Sequence, residues 1–328
     1  MRKSHSNGYT LSLSGGADST ACACLIKFMH DFGIEELGKD KFIEKSGMKF
    51  SNKENLMKDL LICIYQSTEN SSKVTFNSAE AVAKAIDATF LSWSVSKIIN
   101  NYESNVQREL NINLSWENND IALQNIQARV RIPGLWMVAN IKNALLICTS
   151  NRSEAAVGYS TADGDLSGSL CPVGGIDKYF LLKWLNWIYS DYAARYYNTN
   201  NQYGNKQIWV NSLEKVLFQL KPTAELRPIE MNQSDESDLM SYEILDAIEC
   251  LAIVQKKSPK EVFEYIKIQF GTIDHETIRS NVNKFFKLWS RNQWKRQKMP
   301  VSFMLDEECL DPKTFCRFPI LSAHFEEI

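Results

Sequence analysis

The sequence shows no excess of charge of either sign: across 328 residues, 37 Lys and Arg face 39 Asp and Glu, for a formal net charge of −2. No block of like charges dominates any region, so the electrostatic footprint of a nucleic-acid binder is missing. No apolar run approaches the roughly 18 residues that span a bilayer, and the opening MRKSHSNG lacks the apolar core of a secretory leader. The chain is therefore read as cytoplasmic, with no nucleic acid and no membrane among its partners. Histidine is scarce, and His5, His30, His275 and His324 lie far apart with no HExxH pattern. The eight cysteines form no paired CxxC, Cys22 and Cys24 being separated by one residue. A chain of this size needs no disulfide staples, so reduced core thiols are expected and a structural zinc site is not. The lysine-bearing G-x-x-x-x-G-K-[ST] phosphate loop is absent too, as is any internal repeat.

What the sequence does contain is alternation. With 44% hydrophobic residues it can build one large α/β domain. Tyr9 to Leu13 reads as a strand running into Ser-Gly-Gly, and Asp18 to Met29 as a helix with Cys22, Leu25, Ile26 and Met29 on its apolar side. Leu60 to Tyr65 and Thr89 to Val95 read as further strands around an Ala-rich helix from Ser78 to Asp87, and Ala144 to Thr149 as a fourth strand. The predicted fold class is α/β, a parallel β-sheet flanked by helices, with a helical C-terminal part. Residues 38–56 are polar and aperiodic and are expected to form a surface insertion. Asn119-Asp120 marks a helix start, and Pro133-Gly134 is expected to kink or break that helix. The Asn, Tyr and Gln stretch near 192–212 predicts an irregular excursion. Ser237-Asp238 predicts a helix cap, Glu276 to Trp289 a last clear helix, and 290–328 an irregular basic tail.

The sharpest local signal is Ser14-Gly15-Gly16-Ala17-Asp18-Ser19 between strand and helix. Two glycines let the backbone approach a ligand, the following helix presents unpaired N–H groups, and two serines add hydroxyls, which together make an anion cradle. Asp18 stands where a phosphate-binding loop would carry its lysine. It would repel phosphate unless a divalent cation lay between them, which makes it a natural Mg²⁺ ligand.

This segment resembles the SGGxDS signature of the PP-loop ATP pyrophosphatases, enzymes that split ATP between its α and β phosphates. Asn125-Ile126-Gln127-Ala128-Arg129-Val130-Arg131 resembles the NIQARxR segment of NAD⁺ synthases. Thr149-Ser150-Asn151-Arg152-Ser153-Glu154, with AAVGY and Asp163-Gly164-Asp165, resembles their second signature. Lys221-Pro222-Thr223-Ala224-Glu225-Leu226, with QSDESDLMSYEILD, resembles a third. Four separated motifs in the family's order run over nearly the whole chain.

The resemblance implies ATP and Mg²⁺ as cofactors, with Ser14, Gly15, Gly16, Asp18, Ser19, Thr149, Lys178 and Thr223 toward ATP and Asp18 and Glu154 toward the metal. Asp18, Glu154 and Lys178 would be catalytic, the lysine neutralising charge on the α-phosphate. Asn125, Arg129, Asp165 and Lys295 would contact deamido-NAD⁺. Read without the family, Glu154 also suits a helix start, Asn125 and Arg129 a solvated helix face, Lys178 an ordinary surface lysine, and Lys295 in RNQWKRQK a solvated helix end. Arg131 is expected to point away from the ligand.

The wording of TSNRSE and DPKTFCRFPI resembles the glutamine-dependent branch, whose nitrilase-like glutaminase domain has no counterpart in the sequence. The expected substrates are thus deamido-NAD⁺ and ammonia, used by a single synthetase domain over 1–328, with glutamine giving no activity. The alternative is an ATP-binding module inactive without its glutaminase domain. A homodimer is expected, because Ile126, Val130, Leu135, Trp136, Met137 and Val138 give the 121–142 helix more apolar surface than one sheet face covers.

Overall fold

The computed structural model describes residues 3–51, 53–192, 212–219, 225–228, 235–313 and 325. Its centre is a four-stranded parallel sheet in the order β3-β2-β1-β4, built from β1 (Tyr9–Ser12), β2 (Leu61–Ser67), β3 (Thr89–Ser94) and β4 (Leu145–Ile147). β1 and β2 are buried on both faces, which is why YTLS and LICIYQS read as continuous runs instead of alternating. β3 is the half-exposed edge. Register pairs Leu11 with Cys63 on one side and with Ile147 on the other. The chain moves from β1 outward to β2 and β3, then crosses back to place β4 on β1's free side, so the strand order reverses between β1 and β4. Ligand sites in such sheets form outside the carboxyl ends of the strands at this reversal.

The helices are α1 (Ala17–Leu37), α2 (Lys39–Ser46), α3 (Met57–Leu60), α4 (Lys73–Ala85), α5 (Ser96–Leu110), α6 (Trp116–Lys142), α7 (Arg152–Val157) and α8 (Lys178–Trp187). α9 (Tyr242–Glu249), α10 (Pro259–Gln269) and α11 (His275–Arg291) follow. Leu11, Leu13, Leu61 and Cys63 share a core with α1, α4 and α8. On the opposite face Leu135 and Ala139 of α6 cover Ile62, Ile64 and Leu146. A second core joins α7 to α9, α10 and α11 through Ala156, Leu245, Val262 and Phe285. The capping box at Ser258 and Glu261, with Pro259 at the first helical position, starts α10. The described cysteines are all free and mostly buried, and burial pushes the Cys24 thiol up to about 12.

Several expectations need correction. Residues 38–56 are not a bare insertion, because α2 packs Phe42 under Gly33 of α1 and Met48 and Leu56 are buried. α6 is not broken at Pro133; the non-helical residue is Asn119, at φ −128° and ψ 22°. Proline removes the hydrogen bond to the Arg129 carbonyl, but both residues are exposed, so that carbonyl need not be buried unpaired. The break at Asn119 falls at the expected start Asn119-Asp120, after which the main helix runs, and only a short first turn, whose Asn118 N–H is capped by the Ser115 hydroxyl, precedes it. The cap expected at Ser237-Asp238 fails: α9 starts after Ser241, and the Asp238 carboxylate instead accepts from Tyr159 and pairs with Arg227. Within the described part of the tail, Gln293–Arg296 is helical and Ser302 bridges to Cys171, so it is not irregular throughout. The 192–212 excursion falls largely outside the described residues.

Candidate active site

The phosphate loop follows β1 directly. Gly15 sits at φ +89°, and a Cβ there would lie 2.3 Å from the Thr75 carbonyl oxygen, so conformation and close approach both require glycine. Gly16 caps α1 without any side-chain cap bond, which leaves the first-turn N–H groups facing the cavity. Ser14 Oγ and Ser19 Oγ lie 3.1 Å apart, and Ser14 Oγ also accepts from the Gly16 N–H at 3.3 Å. The Ser78 hydroxyl donates to the Gly15 carbonyl at 3.0 Å and fixes the loop from α4.

Across the β1/β4 reversal stands a second set of groups. Thr149 and Ser150 follow β4, and Asn151 caps α7 by accepting from the Glu154 N–H at 2.9 Å. The same side chain donates to Asp18 Oδ1 at 2.9 Å and so ties α7 to α1. Asp18 Oδ2 pairs with the ammonium of Lys178, a side chain only 3% exposed at the start of α8. Lys178 is therefore no surface lysine. Glu154 accepts from the Ser150 hydroxyl at 2.9 Å, and burial together with the Asp18 charge pushes its carboxyl well above the usual carboxylate range.

Asp165 lies on the same wall. It accepts from the Thr161 N–H at 2.6 Å, and burial pushes it up to about 6. A cavity of about 330 Å³ connects these groups, lined by Ser14, Gly16, Asp18, Ser19, Thr149, Glu154, Asp165 and Lys178 among others. That volume lies within the range of small-molecule sites.

Asn125, Arg129 and Lys295 converge instead on the loop that carries Asp165. Asn125 Oδ1 accepts from the Thr161 hydroxyl at 2.9 Å, Arg129 Nε donates to the Ala162 carbonyl at 3.0 Å, and Lys295 Nζ donates to the carbonyls of Gly158 and Ser160 at 2.8 Å each. They hold the 158–165 loop beside the cavity without lining it. Arg131, expected to point away, lines the cavity; its guanidinium donates to the carbonyls of Gln66 (3.1 Å) and Gln127 (2.9 Å). The reason is helix phase. Ala128, Arg131, Ile132 and Leu135 share the α6 face over the strand ends, and Asn125 and Arg129 are turned toward the neighbouring loop. Thr223 lies outside the described residues.

Sequence reasoning passed over three further residues. Asn151 and Arg152 were inside a recognised motif without a role, although an Asn before a helix is a readable cap signal. Arg152, 3% exposed, pairs with Asp177 (3.4 Å), Asp246 (2.9 Å), Glu249 (3.2 Å) and Glu308 (2.6 Å). Gln127 bonds across to Leu226. The partners of Arg152 and Gln127 are distant along the chain, from Asp177 to Glu308 for the arginine and at Leu226 for the glutamine, and no local pattern announces them.

Fold and site together define an α/β protein with a glycine-turn phosphate loop and a carboxylate–lysine cluster facing it across the sheet reversal. A family model described as NAD synthase matches residues 1–299, and the chain belongs to that family. It is 30% identical over 301 residues to a glutamine-dependent NAD(+) synthetase of Aquifex aeolicus, a match covering 92% of this chain and 42% of that one. A glutamine-dependent NAD(+) synthetase structure from Cytophaga hutchinsonii superposes with a TM-score of 0.81 at 39% identity, over 98% of this chain and 52% of that one. An NH3-dependent NAD synthetase from Campylobacter jejuni, 18% identical with a TM-score of 0.54 and 92% of each chain covered, shares the fold. The chain thus spans about half the length of the glutamine-dependent relatives it matches.

Proposed function

We propose that this chain is an ATP-using synthetase that converts the nicotinate carboxylate of deamido-NAD⁺ to an amide with ammonia, releasing NAD⁺, AMP and pyrophosphate. The observation that carries the reading is the pairing of an open anion cradle at Ser14 to Ser19 with Asp18, Glu154 and Lys178 across one cavity.

The residues present fit a divalent cation. Two carboxylates share a buried site, where burial and the neighbouring Asp18 charge push Glu154 up, and a cation between them would favour its ionised form. Among the described residues no third acidic, cysteine or histidine ligand joins them, so phosphate oxygens would complete the shell of a hard cation. Asp18 and Glu154 would hold Mg²⁺, whose charge would offset that of the phosphates.

The chain's own contribution is placement and electrostatics. The loop amides and serine hydroxyls seat the phosphates, Lys178 stabilises negative charge on the α-phosphate oxygens as the carboxylate attacks in line, and pyrophosphate leaves. Ammonia then attacks the mixed anhydride, loses a proton and displaces AMP, a step that needs no protein nucleophile. Asp165, with the loop held by Asn125, Arg129 and Lys295, forms the wall toward which deamido-NAD⁺ binds. The test is incubation with ATP, Mg²⁺, deamido-NAD⁺ and ammonium, with AMP and NAD⁺ formed in equal amounts as the expected result. AMP without NAD⁺ would mean a different acceptor, and neither product would leave only the binding-module reading.

The assembly proposed is a homodimer through α5 and α6. Of the six apolar residues behind that expectation only Met137 is exposed, Ile126, Val130, Leu135, Trp136 and Val138 being packed within the chain; exposed instead are Ile98, Tyr102, Val106 and Leu110 of α5 and Ile121 and Ile141 of α6.

A further inference from the structure

Three residues around the start of α7 each hold a different group of the cluster. The Ser150 hydroxyl donates to Glu154 Oε2 at 2.9 Å, the Asn151 amide donates to Asp18 Oδ1 at 2.9 Å, and Ser153 Oγ accepts from the Lys178 N–H at 3.2 Å. The turn is itself fixed from its far side, since the Arg152 N–H donates to the Ile176 carbonyl at 2.9 Å and the Cys171 thiol to the Ser150 carbonyl at 3.0 Å. Of the three, Asn151 is the one that meets both carboxylate-bearing residues. Its Oδ1 accepts from the Glu154 N–H while its Nδ2 donates to Asp18, and these two residues stand on helices that follow different strands, β4 and β1. The side chain is 0% exposed, so water does not compete for either bond. The orientation of the amide follows from chemistry: a backbone N–H can only donate, so the capping atom is the oxygen and the atom facing Asp18 is the NH2. Serine and aspartate cap helices about as well as asparagine. Serine, however, has one polar atom instead of two, and aspartate has no donor for Asp18 and would add a negative charge beside two others. A neutral donor thus holds Asp18 Oδ1 and leaves Oδ2 to face a cation, here the ammonium of Lys178.

We propose that Asn151 is a positioning residue for the metal: by bonding Asp18 with its amide and Glu154 through the backbone, it sets the separation and aim of the two carboxylates that would hold Mg²⁺. This rests on the Mg²⁺ and ATP reading given above. Capping α7 uses the oxygen of the side chain and holding Asp18 uses the nitrogen, so substitution can take the two roles apart.

The experiment compares the unmodified chain with Asn151→Ser and Asn151→Ala. It measures equilibrium binding of α,β-methylene ATP with saturating Mg²⁺ and again with EDTA, the melting temperature without ligands, and kcat and KM with ammonium. Serine keeps the cap and loses the bond to Asp18, and alanine loses both. In the unmodified chain Mg²⁺ is expected to tighten the analogue, and in both variants that gain shrinks about tenfold, the equivalent of about 1.4 kcal/mol for a charge-assisted hydrogen bond. Binding in EDTA stays unchanged, kcat falls, and the KM for deamido-NAD⁺ is spared. Asn151→Ala melts about 2 °C or more below Asn151→Ser, because it alone loses the cap. The serine variant carries the test if the alanine variant does not fold. An undiminished Mg²⁺ gain in Asn151→Ser overturns the proposal, as does a gain that falls in step with melting temperature across the three proteins, or an equal loss with and without Mg²⁺. No Mg²⁺ gain in the unmodified chain overturns the metal reading itself and the proposal with it.

Discussion

Asp18 is the residue on which most of the site depends. It receives Asn151 from α7 and Lys178 from α8, so one carboxylate fixes three elements around the phosphate loop. Asp18→Asn keeps the shape but removes the anionic oxygen, and Glu154→Gln does the same for its neighbour. Each is expected to slow AMP formation about a hundredfold or more, on the scale of removing one preorganised electrostatic group at a reacting phosphoryl. Far-ultraviolet circular dichroism should stay unchanged, and near-normal AMP formation in either variant would remove it from the metal site. Arg129 acts on the loop beside this cluster. Its bond to the Ala162 carbonyl holds the loop of Asp165, so Arg129→Ala is expected to raise the KM for deamido-NAD⁺ about tenfold, the loss of a charge-assisted hydrogen bond, and to spare ATP. Equal changes in both KM values would contradict that assignment.

At the scale of elements, the turn from β1 into α1 and the short helix α7 are the critical joints. Gly15→Ala drives a methyl into the Thr75 carbonyl at a positive φ, so it is expected to cost at least about 2 kcal/mol in urea unfolding and to abolish nucleotide binding. α7 is anchored to the C-terminal helices through Arg152 and its ring of carboxylates, and one guanidinium cannot neutralise four of them. Burial, partly offset by Arg152, pushes Glu249 up to about 8, and burial with the nearby Asp177 charge pushes Asp246 up to about 6. Both folded-state values lie above those of the unfolded chain, so the folded state holds extra protons. The stability they contribute is complete below about pH 4 and is lost as pH rises through about 6 and then about 8. A melting temperature that falls between pH 5 and 8, and falls less in Glu249→Gln, is the expected outcome. An identical pH profile for the two proteins would place those protons elsewhere.

For the whole molecule, the open question of chemistry is assembly. Ile121, Met137 and Ile141 are 65–70% exposed on α6, beside the exposed apolar side chains of α5. Water-facing apolar groups spread along two adjacent helices are the material of an isologous interface. Light scattering at micromolar concentration should report a dimer, and the double variant Met137→Glu with Ile141→Glu a monomer. A monomer for the unmodified chain would overturn the assignment. No described helix is long and apolar enough to cross a membrane.

The sequence by itself determined the fold class and the phosphate loop, because both depend on neighbours along the chain: the apolar runs of β1 and β2, the Ser-Gly-Gly turn and the helix after it follow from local periodicity and backbone conformation. It also named Asp18, Glu154 and Asp165, whose motifs are contiguous. Only the tertiary structure decided what those residues touch. Lys178 is an ordinary lysine until α8 packs beside α1 and its ammonium meets Asp18. Arg131 and Arg129 differ by two positions, and the way α6 lies across the strand ends turns the first into the cavity and the second away. Pro133 spared its helix because the residue whose carbonyl it leaves unpaired is exposed, which depends on how α6 is buried. In each case the deciding partner lies tens of residues away along the chain, or is the solvent, and a contact of that kind exists only once the sheet and helices have packed.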